Sequence, residues 1–263
     1  TAPIANMLIE QFNVSLCFNI VGIFCIVCFI ILARVLKLPA ADYKPEGWEP
    51  PVEVVDSKVK SYTSPEMLKT PFFWVMLLFF GMVGCTGVTM LSTVSLIGQT
   101  QAGMDAGMGA LMVGIFGIAN AIGRVGLGAI SDRFGRFQTM FGAVAVTAVI
   151  HLFLYSSANT PMVFIVESCV LGICFGGIMA IMPSLNADAF GPGNMGQNYG
   201  FMFIGYTLAS FIGPQVAANA LATTGSYSSA FPILGVLCIV GIVLLAIALF
   251  FFKRMKAKEQ ASA

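Results

Sequence analysis

The chain has 263 residues, of which 58% are hydrophobic and 10% are charged, and its formal net charge at pH 7 is +1. Soluble domains carry about 25% charged residues, so this composition excludes an ordinary soluble protein and indicates a protein of the lipid bilayer. The near-neutral charge also gives no sign of the strongly basic surface of a nucleic-acid-binding protein, and no nucleic-acid partner is expected.

Seven apolar segments are each long enough to cross a bilayer, which needs about 20 residues of helix. They are predicted at about 14–36, 71–98, 108–130, 137–157, 160–186, 198–222 and 229–252. The fold class is therefore an all-α integral membrane bundle with seven transmembrane helices.

The segment from Arg34 to Thr70 is the one long polar stretch, rich in proline and in charges of both signs. It separates the first helix from six helices with short connections, whose sequential members are expected to pack as antiparallel neighbours. The predicted parts are a transmembrane helix at 1–37, a linker at 38–70, a six-helix bundle at 71–252 and a tail at 253–263. One helix, a long linker and six helices is what remains when a six-plus-six carrier lacks its first five helices. Because the chain begins without Met or a signal peptide, it is expected to begin within a longer protein.

Basic residues are distributed unevenly among the loops. Twelve of the thirteen Lys and Arg residues fall at 34–69, at 131–136 and from Lys253 onward, whereas the connections near 99–107, 156–160 and 222–229 hold none. The positive-inside rule therefore predicts a cytoplasmic carboxyl terminus and an external amino terminus, in the plasma (inner) membrane. The thirteenth base, Arg124, lies inside an apolar helix, where a cation costs roughly 3 kcal/mol on insertion scales. Such a residue is a functional candidate.

The turn between the third and fourth segments reads Gly128-Ala-Ile-Ser-Asp132-Arg133-Phe-Gly135-Arg136. Gly128 allows close helix approach, Asp132 can pair with a base or cap a neighbouring helix, and Gly135 permits a tight turn. Arg133 and Arg136 are expected to anchor the turn at the anionic leaflet. The pattern resembles the G-x-x-x-D-R-x-G-R signature of the major facilitator superfamily, in the second half of those carriers. The resemblance implies a structural and gating element; an ordinary basic loop is the alternative.

A second resemblance is carried by two further stretches of sequence. The stretches are Pro183-Ser-Leu185-Asn-Ala187-Asp188-Ala-Phe190-Gly191, followed by Gly196-Gln-Asn198-Tyr199-Gly200, and Asp42-Tyr43-Lys-Pro45-Glu-Gly47-Trp48 in the linker. Together they resemble the oxalate/formate antiporter family, which is related to the monocarboxylate transporters. The resemblance implies the last seven helices of a twelve-helix secondary carrier. Such carriers bind substrate near the midplane between two six-helix halves, so the missing amino-terminal helices would supply the rest of the site.

Arg124 lies eight residues before Asp132, which places it ~12 Å from the cytoplasmic turn and near the middle of a ~30 Å hydrocarbon core. In the oxalate/formate family an Arg at this place faces the substrate carboxylate, and the resemblance carries that role to Arg124. A guanidinium is planar, permanently charged and able to bind a carboxylate bidentately. The alternatives are an Arg that snorkels to the interface or a structural ion pair.

Family members that handle the dicarboxylate carry a Lys in the eleventh helix, and alignment places Tyr206 at that position. No charged residue occurs between Ala189 and Phe252, so this half offers one fixed cation. The resemblance therefore favours a monocarboxylate such as formate, lactate or pyruvate; an oxalate/formate-type dicarboxylate exchanger needs a second cation from the missing half. Tyr206 either donates its hydroxyl to the substrate or is satisfied by a neighbouring helix.

Monocarboxylate/proton symporters place an Asp one turn before this Arg, where the present chain has Asn120. Asn120 does not titrate, but it can share the substrate face with Arg124. His151 and Glu167, in the outer halves of consecutive helices, are the remaining candidates for a relay of coupling protons. A lone structural His and an interfacial Glu are the alternatives.

A row of hydroxyls in the second segment contains Thr86, Thr89 and Thr93 on one helix face. It suits either a hydrated cavity wall or hydrogen bonds back to helix carbonyls. No metal-ligand cluster, phosphate-binding loop or nucleophile elbow occurs in the sequence, so no cofactor, metal or enzymatic activity is expected. Besides the carriers, a non-transporting membrane sensor or assembly subunit of the same fold remains open.

Overall fold

A computed structural model describes residues 8–9, 13–35 and 60–262. Within these ranges the regular structure is helical, and seven helices are long and apolar enough to cross a membrane. The chain divides into two compact units, Thr1–Val59 and Lys60–Ala263. The linker motif from Asp42 to Trp48, and most of the predicted linker, lie outside the described residues.

Helix α1 of the first unit spans Val14–Val35, close to the predicted segment at 14–36. Its amino terminus is capped by Asn13, whose Oδ1 accepts a hydrogen bond from the N–H of Leu16 at 2.7 Å. Such a bond satisfies one of the backbone donors that a helix leaves unpaired at its first turn.

The second unit contains one short helix and six long ones. They are α2 Ser64–Leu68, α3 Pro71–Gln101, α4 Ala106–Phe134, α5 Arg136–Val149, α6 Pro161–Phe190, α7 Met195–Thr224 and α8 Ala230–Ser262. Local sequence accounts for several of the helix ends. Asp105 caps α4 by accepting from the N–H of Met108 at 2.7 Å, and proline at the first turn of α3 and α6 removes a donor that would be unpaired.

One predicted segment changes its helix type along its length, and two boundaries differ from the sequence-based prediction. Helix α5 continues as a π-helical turn at Ile150–Leu154 and a 3-10 turn at Tyr155–Ser157. Helix α8 runs through the predicted tail to Ser262; its apolar run ends at Phe252, but the following Lys, Arg and Ala residues are good helix formers. Residues 60–70 of the predicted linker belong to the second unit.

The most extensive packing does not join helices that follow one another in the sequence, contrary to expectation. It joins α4 to α6 and α3 to α7, while α8 packs against α3 and α5. Glycines make the α4–α6 approach possible, because a Cβ added to Gly123 would overlap the backbone of Ile173, and one added to Gly176 would overlap the backbone of Asn120. Close approach at glycines therefore accompanies the most extensive helix pairing.

Residues at the start of the second unit lie against the α6–α7 turn. The carbonyl of Tyr62 accepts hydrogen bonds from the side-chain amides of Asn194 and Asn198 at 3.1 and 3.0 Å. The hydroxyl of Tyr62 donates to Glu259 at 2.8 Å, and burial followed by this hydrogen bond raises the pKa of Tyr62 to about 12. These bonds join three distant parts of the sequence at one end of the bundle.

Candidate functional site

Helix α4 presents two different exposed faces. Large apolar side chains occupy one of them: Leu111, Ile118, Ile122 and Val125. The other face, which follows the heptad spacing of one helix side, carries the exposed Gly117, Ala121 and Arg124 and the partly buried Gly128. Lipid contact explains the first face. The second face places Arg124, which lies well inside α4, among small residues.

Asn120 orients Arg124. The Nε atom of Arg124 donates to Oδ1 of Asn120 at 3.2 Å, and Nδ2 of Asn120 donates to the carbonyl oxygen of Gly172 at 3.5 Å. Among residues 60–262, Arg124 forms no ion pair with an acid. Because Nε is used by Asn120, the two terminal nitrogens are left to face a ligand, and these are the groups that bind a carboxylate bidentately.

The α4–α6 contact fixes the position of Asn120. Gly172 and Gly176 of α6 lie against the backbone of α4 at Phe116 and Asn120, where any larger residue would separate the helices. The acceptor for Asn120 is the backbone carbonyl of Gly172 itself. Backbone packing, not a flexible side chain, therefore holds the partner of Arg124 in place.

Aromatic side chains from three helices pack around Tyr206. The half-buried Tyr206 ring packs against Phe80 of α3, Phe203 of α7 and Phe175 of α6, with ring centroids 5.5, 4.9 and 6.4 Å apart. Its hydroxyl has no hydrogen-bond partner in the described part of the chain, so the structure does not show the predicted alternative in which a neighbouring helix satisfies it.

Tyr199 is a further candidate residue that the sequence reasoning did not single out. It is half-buried one residue after the buried Asn198, and seven residues before Tyr206 on α7. Two helical turns place both phenols on the same side of the helix, and Tyr199 also contacts the Phe203 ring at 5.7 Å. The sequence signal that could have identified Tyr199 is the seven-residue spacing of two tyrosines within an apolar helix.

The hydroxyl row of α3 is buried and bonded to its own helix. Thr86 donates to the carbonyl of Val83 at 2.8 Å, Thr89 to Cys85 at 2.6 Å and Thr93 to Thr89 at 2.6 Å. Of the two predicted arrangements, these side chains show hydrogen bonds back to helix carbonyls.

The predicted gating loop is an ion-paired turn. Gly135, with φ of +101°, joins α4 to α5 in a conformation that favours glycine. Nη1 of Arg136 lies 3.0 Å from Oδ1 of Asp132, and its Nε pairs with Asp188 at the end of α6. Arg136 is therefore directed at two acids and not at the leaflet as predicted, because Asp188 of the distant α6 is brought beside it by folding.

The other two members of the loop, Gly128 and Arg133, form no ion pair within residues 60–262. A Cβ added to Gly128 would lie 3.9 Å from the Cβ of Ala180 on α6. Arg133 is exposed and forms no ion pair within residues 60–262. It is the member of the loop that remains available to lipid headgroups.

His151 is buried in the π-helical turn after α5. Its ring lies 6.4 Å from that of Phe231 and 6.0 Å from that of Tyr155, and neither ring nitrogen has a hydrogen-bond partner. It lines a cavity of about 10 Å³ together with Thr86, Thr147 and Phe175, which is space for about one water molecule.

Glu167 lies on α6 in the outer half of the bundle. One of its carboxylate oxygens is buried without a partner, and no hydrogen bond joins Glu167 to His151 in the described chain. The structure therefore does not bring the two predicted relay residues into direct contact.

The chain is similar to a known protein family and to several known proteins. The chain matches the profile of the Major Facilitator Superfamily over residues 1–214 and 152–263. It is 30% identical over 254 residues to the oxalate:formate antiporter of Oxalobacter formigenes, which covers 96% of this chain and 58% of that protein. The chain thus spans little more than half the length of this relative.

Two more distant relatives match shorter parts. Identity is 25% over 163 residues to monocarboxylate transporter 12 of Rattus norvegicus, covering 60% of this chain and 33% of that protein. It is 32% over 111 residues to apicoplast pyruvate carrier 1 of Toxoplasma gondii, covering 40% of this chain and 20% of that protein.

Proposed function

We propose, because this chain belongs to the Major Facilitator Superfamily, that it supplies the carboxyl-terminal part of a secondary carrier for a small organic anion. The observation that supports this most directly is Arg124, a guanidinium within a membrane-spanning helix that has no acidic partner in the described chain. A charge in that position is costly without a partner, and an anionic substrate is the partner we propose.

The binding chemistry follows from the atoms that remain unpaired. Arg124 presents its two terminal nitrogens to a carboxylate, while Asn120 fixes the plane of the guanidinium through Nε. The hydroxyls of Tyr199 and Tyr206 on α7 are proposed as further donors to the substrate. The rings of Phe80 and Phe175 keep this surface apolar, which strengthens each charged hydrogen bond by lowering the local dielectric.

A monocarboxylate is the substrate class that fits this half. One cation balances one carboxylate, and a second carboxylate would be desolvated without a partner on α7. The names of the relatives include an oxalate:formate antiporter, a monocarboxylate transporter and a pyruvate carrier, so formate, lactate and pyruvate are the first compounds to test. Dicarboxylate exchange is the alternative, and it needs a cation from helices outside this chain.

Transport by alternating access requires a second half of the carrier. Five helices that precede this chain would form the second half with α1, and the substrate would lie between the halves. The ion-paired turn from Asp132 to Arg136 would lie in the cytoplasm with the carboxyl terminus, as the positive-inside rule requires. Rocking of the halves would then change the contacts of this turn. The second half is needed for transport.

Proton symport is a second candidate mechanism, and the surroundings of His151 favour it. Phe175 lines the one-water cavity beside His151 and also stacks on Tyr206, with ring centroids 6.4 Å apart. A single aromatic ring therefore separates an unpartnered histidine from the substrate face. Glu167 would be the outer member of such a relay.

A non-transporting sensor or assembly subunit is the alternative from another class. A structural role for Arg124 requires an acid or several carbonyl oxygens around its terminal nitrogens, and the described residues supply neither. The deciding experiment is uptake of radiolabelled formate, lactate, pyruvate and oxalate by the complete carrier in proteoliposomes, with and without a proton gradient. If the complete carrier takes up none of these anions, the proposal is wrong.

A further inference from the structure

A basic cavity lies at the end of the bundle that carries the turn from Asp132 to Arg136. It is enclosed by the first residues of α3 and the last turns of α8, and its volume is about 360 Å³. Its lining includes Lys69, Phe72, Phe251, Arg254, Met255 and Lys258. The cavity is separate from the face of Arg124.

The charge of the lining is of one sign. Three bases line the cavity, and no acid is among its described lining residues. Arg254 and Lys258 lie one turn apart on α8, where like charges repel each other. An anion in the cavity would be attracted by all three cations.

The acids at this end of the described bundle are paired with other bases. Glu66 lies 3.8 Å from Lys60, and Glu259 lies 2.9 Å from Lys256. Asp132 and Asp188 both pair with Arg136. Within residues 60–262, Lys69 and Arg254 therefore have no ion-paired acid.

The walls of the cavity are apolar and lie at the boundary of the spanning segments. The apolar run of α3 begins at Pro71 and that of α8 ends at Phe252. Near the same boundary the exposed Trp74 donates its indole N–H to the carbonyl of Leu68 at 2.9 Å, as is typical of a tryptophan at a membrane interface. An occupant at this level meets cations on its polar side and aromatic rings on its apolar side.

We infer that this cavity binds the phosphodiester headgroup of an anionic glycerophospholipid. The planar guanidinium of Arg254 matches two phosphate oxygens, whereas Lys69 and Lys258 act as point charges. The half-buried Phe251 and Met255 contact the glycerol and the first carbons of the acyl chains. A free phosphate ion would use the charges alone. The inference requires membrane insertion of the chain and is independent of the transported anion.

The experiment measures lipid binding to the complete carrier in detergent by native mass spectrometry. Dioleoylphosphatidylglycerol is compared with dioleoylphosphatidylcholine, which has the same acyl chains and no net charge. Arg254→Gln should weaken binding of the anionic lipid roughly fivefold, and Lys69→Gln combined with Arg254→Gln roughly 25-fold. The matched control is Lys253→Gln, which removes the same charge from the neighbouring residue of α8 but does not line the cavity.

The lipid source is distinguished from a free anion by competition with inorganic phosphate at millimolar concentration. Displacement of the lipid by phosphate at that concentration, or equal affinity for the two lipids, overturns the inference. Equal losses for Arg254→Gln and Lys253→Gln overturn it as well, because they indicate general surface charge. Thermal unfolding of each variant checks that the exposed substitutions leave the fold intact.

Discussion

The Nε atom of Arg124 donates a hydrogen bond to Oδ1 of Asn120 at 3.2 Å, and the two residues lie one helical turn apart on α4. Asn120 is held in turn by the carbonyl of Gly172, where α6 lies against the backbone of α4. The orientation of the cation therefore depends on the contact between two helices. A movement of α6 relative to α4 would change how Arg124 faces the substrate.

Asn120→Asp should make uptake depend on pH. A carboxylate at this position pairs with Arg124 and competes with the substrate at neutral pH, whereas its protonated form does not. Uptake should therefore be below the wild-type rate at pH 7.5 and should rise as pH falls through the pKa of the new carboxyl. Asn120→Ala is the control, since it removes the same hydrogen bond without adding a titrating group. The same pH profile in both variants would contradict the role of Asn120.

Tyr206→Phe keeps the ring contacts with Phe80 and Phe203 and removes only the hydroxyl. If the hydroxyl donates to the substrate, KM should rise roughly two- to tenfold, the range of one hydrogen bond. Tyr206→Lys places a second cation on α7 and should shift preference toward oxalate. Competition of oxalate against formate uptake measures both effects. Failure of the lysine variant to gain oxalate binding would count against the alignment of α7 with the dicarboxylate carriers.

His151→Phe tests the proton-relay proposal. The substituted ring fits the aromatic surroundings of Phe231 and Tyr155 and removes two unpartnered nitrogens, so the melting temperature should not fall. A relay role predicts that an inward proton gradient no longer accelerates uptake by this variant, and that Glu167→Gln has the same effect. Gradient-driven acceleration that persists in both variants would assign these residues to packing.

Arg136→Gln leaves Asp132 and Asp188 without their shared base. Because both acids are largely exposed, the free energy of unfolding should fall by about 1 kcal/mol or less. The turnover rate should fall by roughly two- to thirtyfold if the ion-paired turn couples the helices during transport. Arg133→Gln, which removes an exposed charge from the same turn, is the control. Equal turnover in the two variants would show that the pairs of Arg136 are dispensable.

Hydropathy and loop charge were sufficient to place the helices and to single out Arg124. Each spanning helix of the described residues corresponds to one apolar segment, because membrane insertion requires a continuous apolar run. The end of α8 is different: helix formation outlasts the apolar run, since Lys and Arg favour helix as strongly as many apolar residues do. Hydropathy alone therefore placed the end of the spanning segment and missed the end of the helix.

The contacts between helices depend on positions far apart in the sequence. The Arg136–Asp188 pair joins residues 52 positions apart, and no local pattern relates them. The same holds for the aromatic cluster around Tyr206, whose ring contacts Phe80 of α3 and Phe175 of α6. Glycine spacing in Gly172 and Gly176 indicated close packing, but it did not identify α4 as the partner.

The measurement that tests the central proposal most directly is anion uptake by Arg124→Gln and Arg124→Lys carriers in proteoliposomes. Glutamine removes the charge, and lysine keeps it while losing the planar pair of donors. Both should lower uptake of the preferred monocarboxylate by roughly 10- to 150-fold, the range of a hydrogen bond to a charged group, with unchanged thermal unfolding because the side chain is exposed. Wild-type uptake by either variant would contradict the proposal that Arg124 binds the substrate.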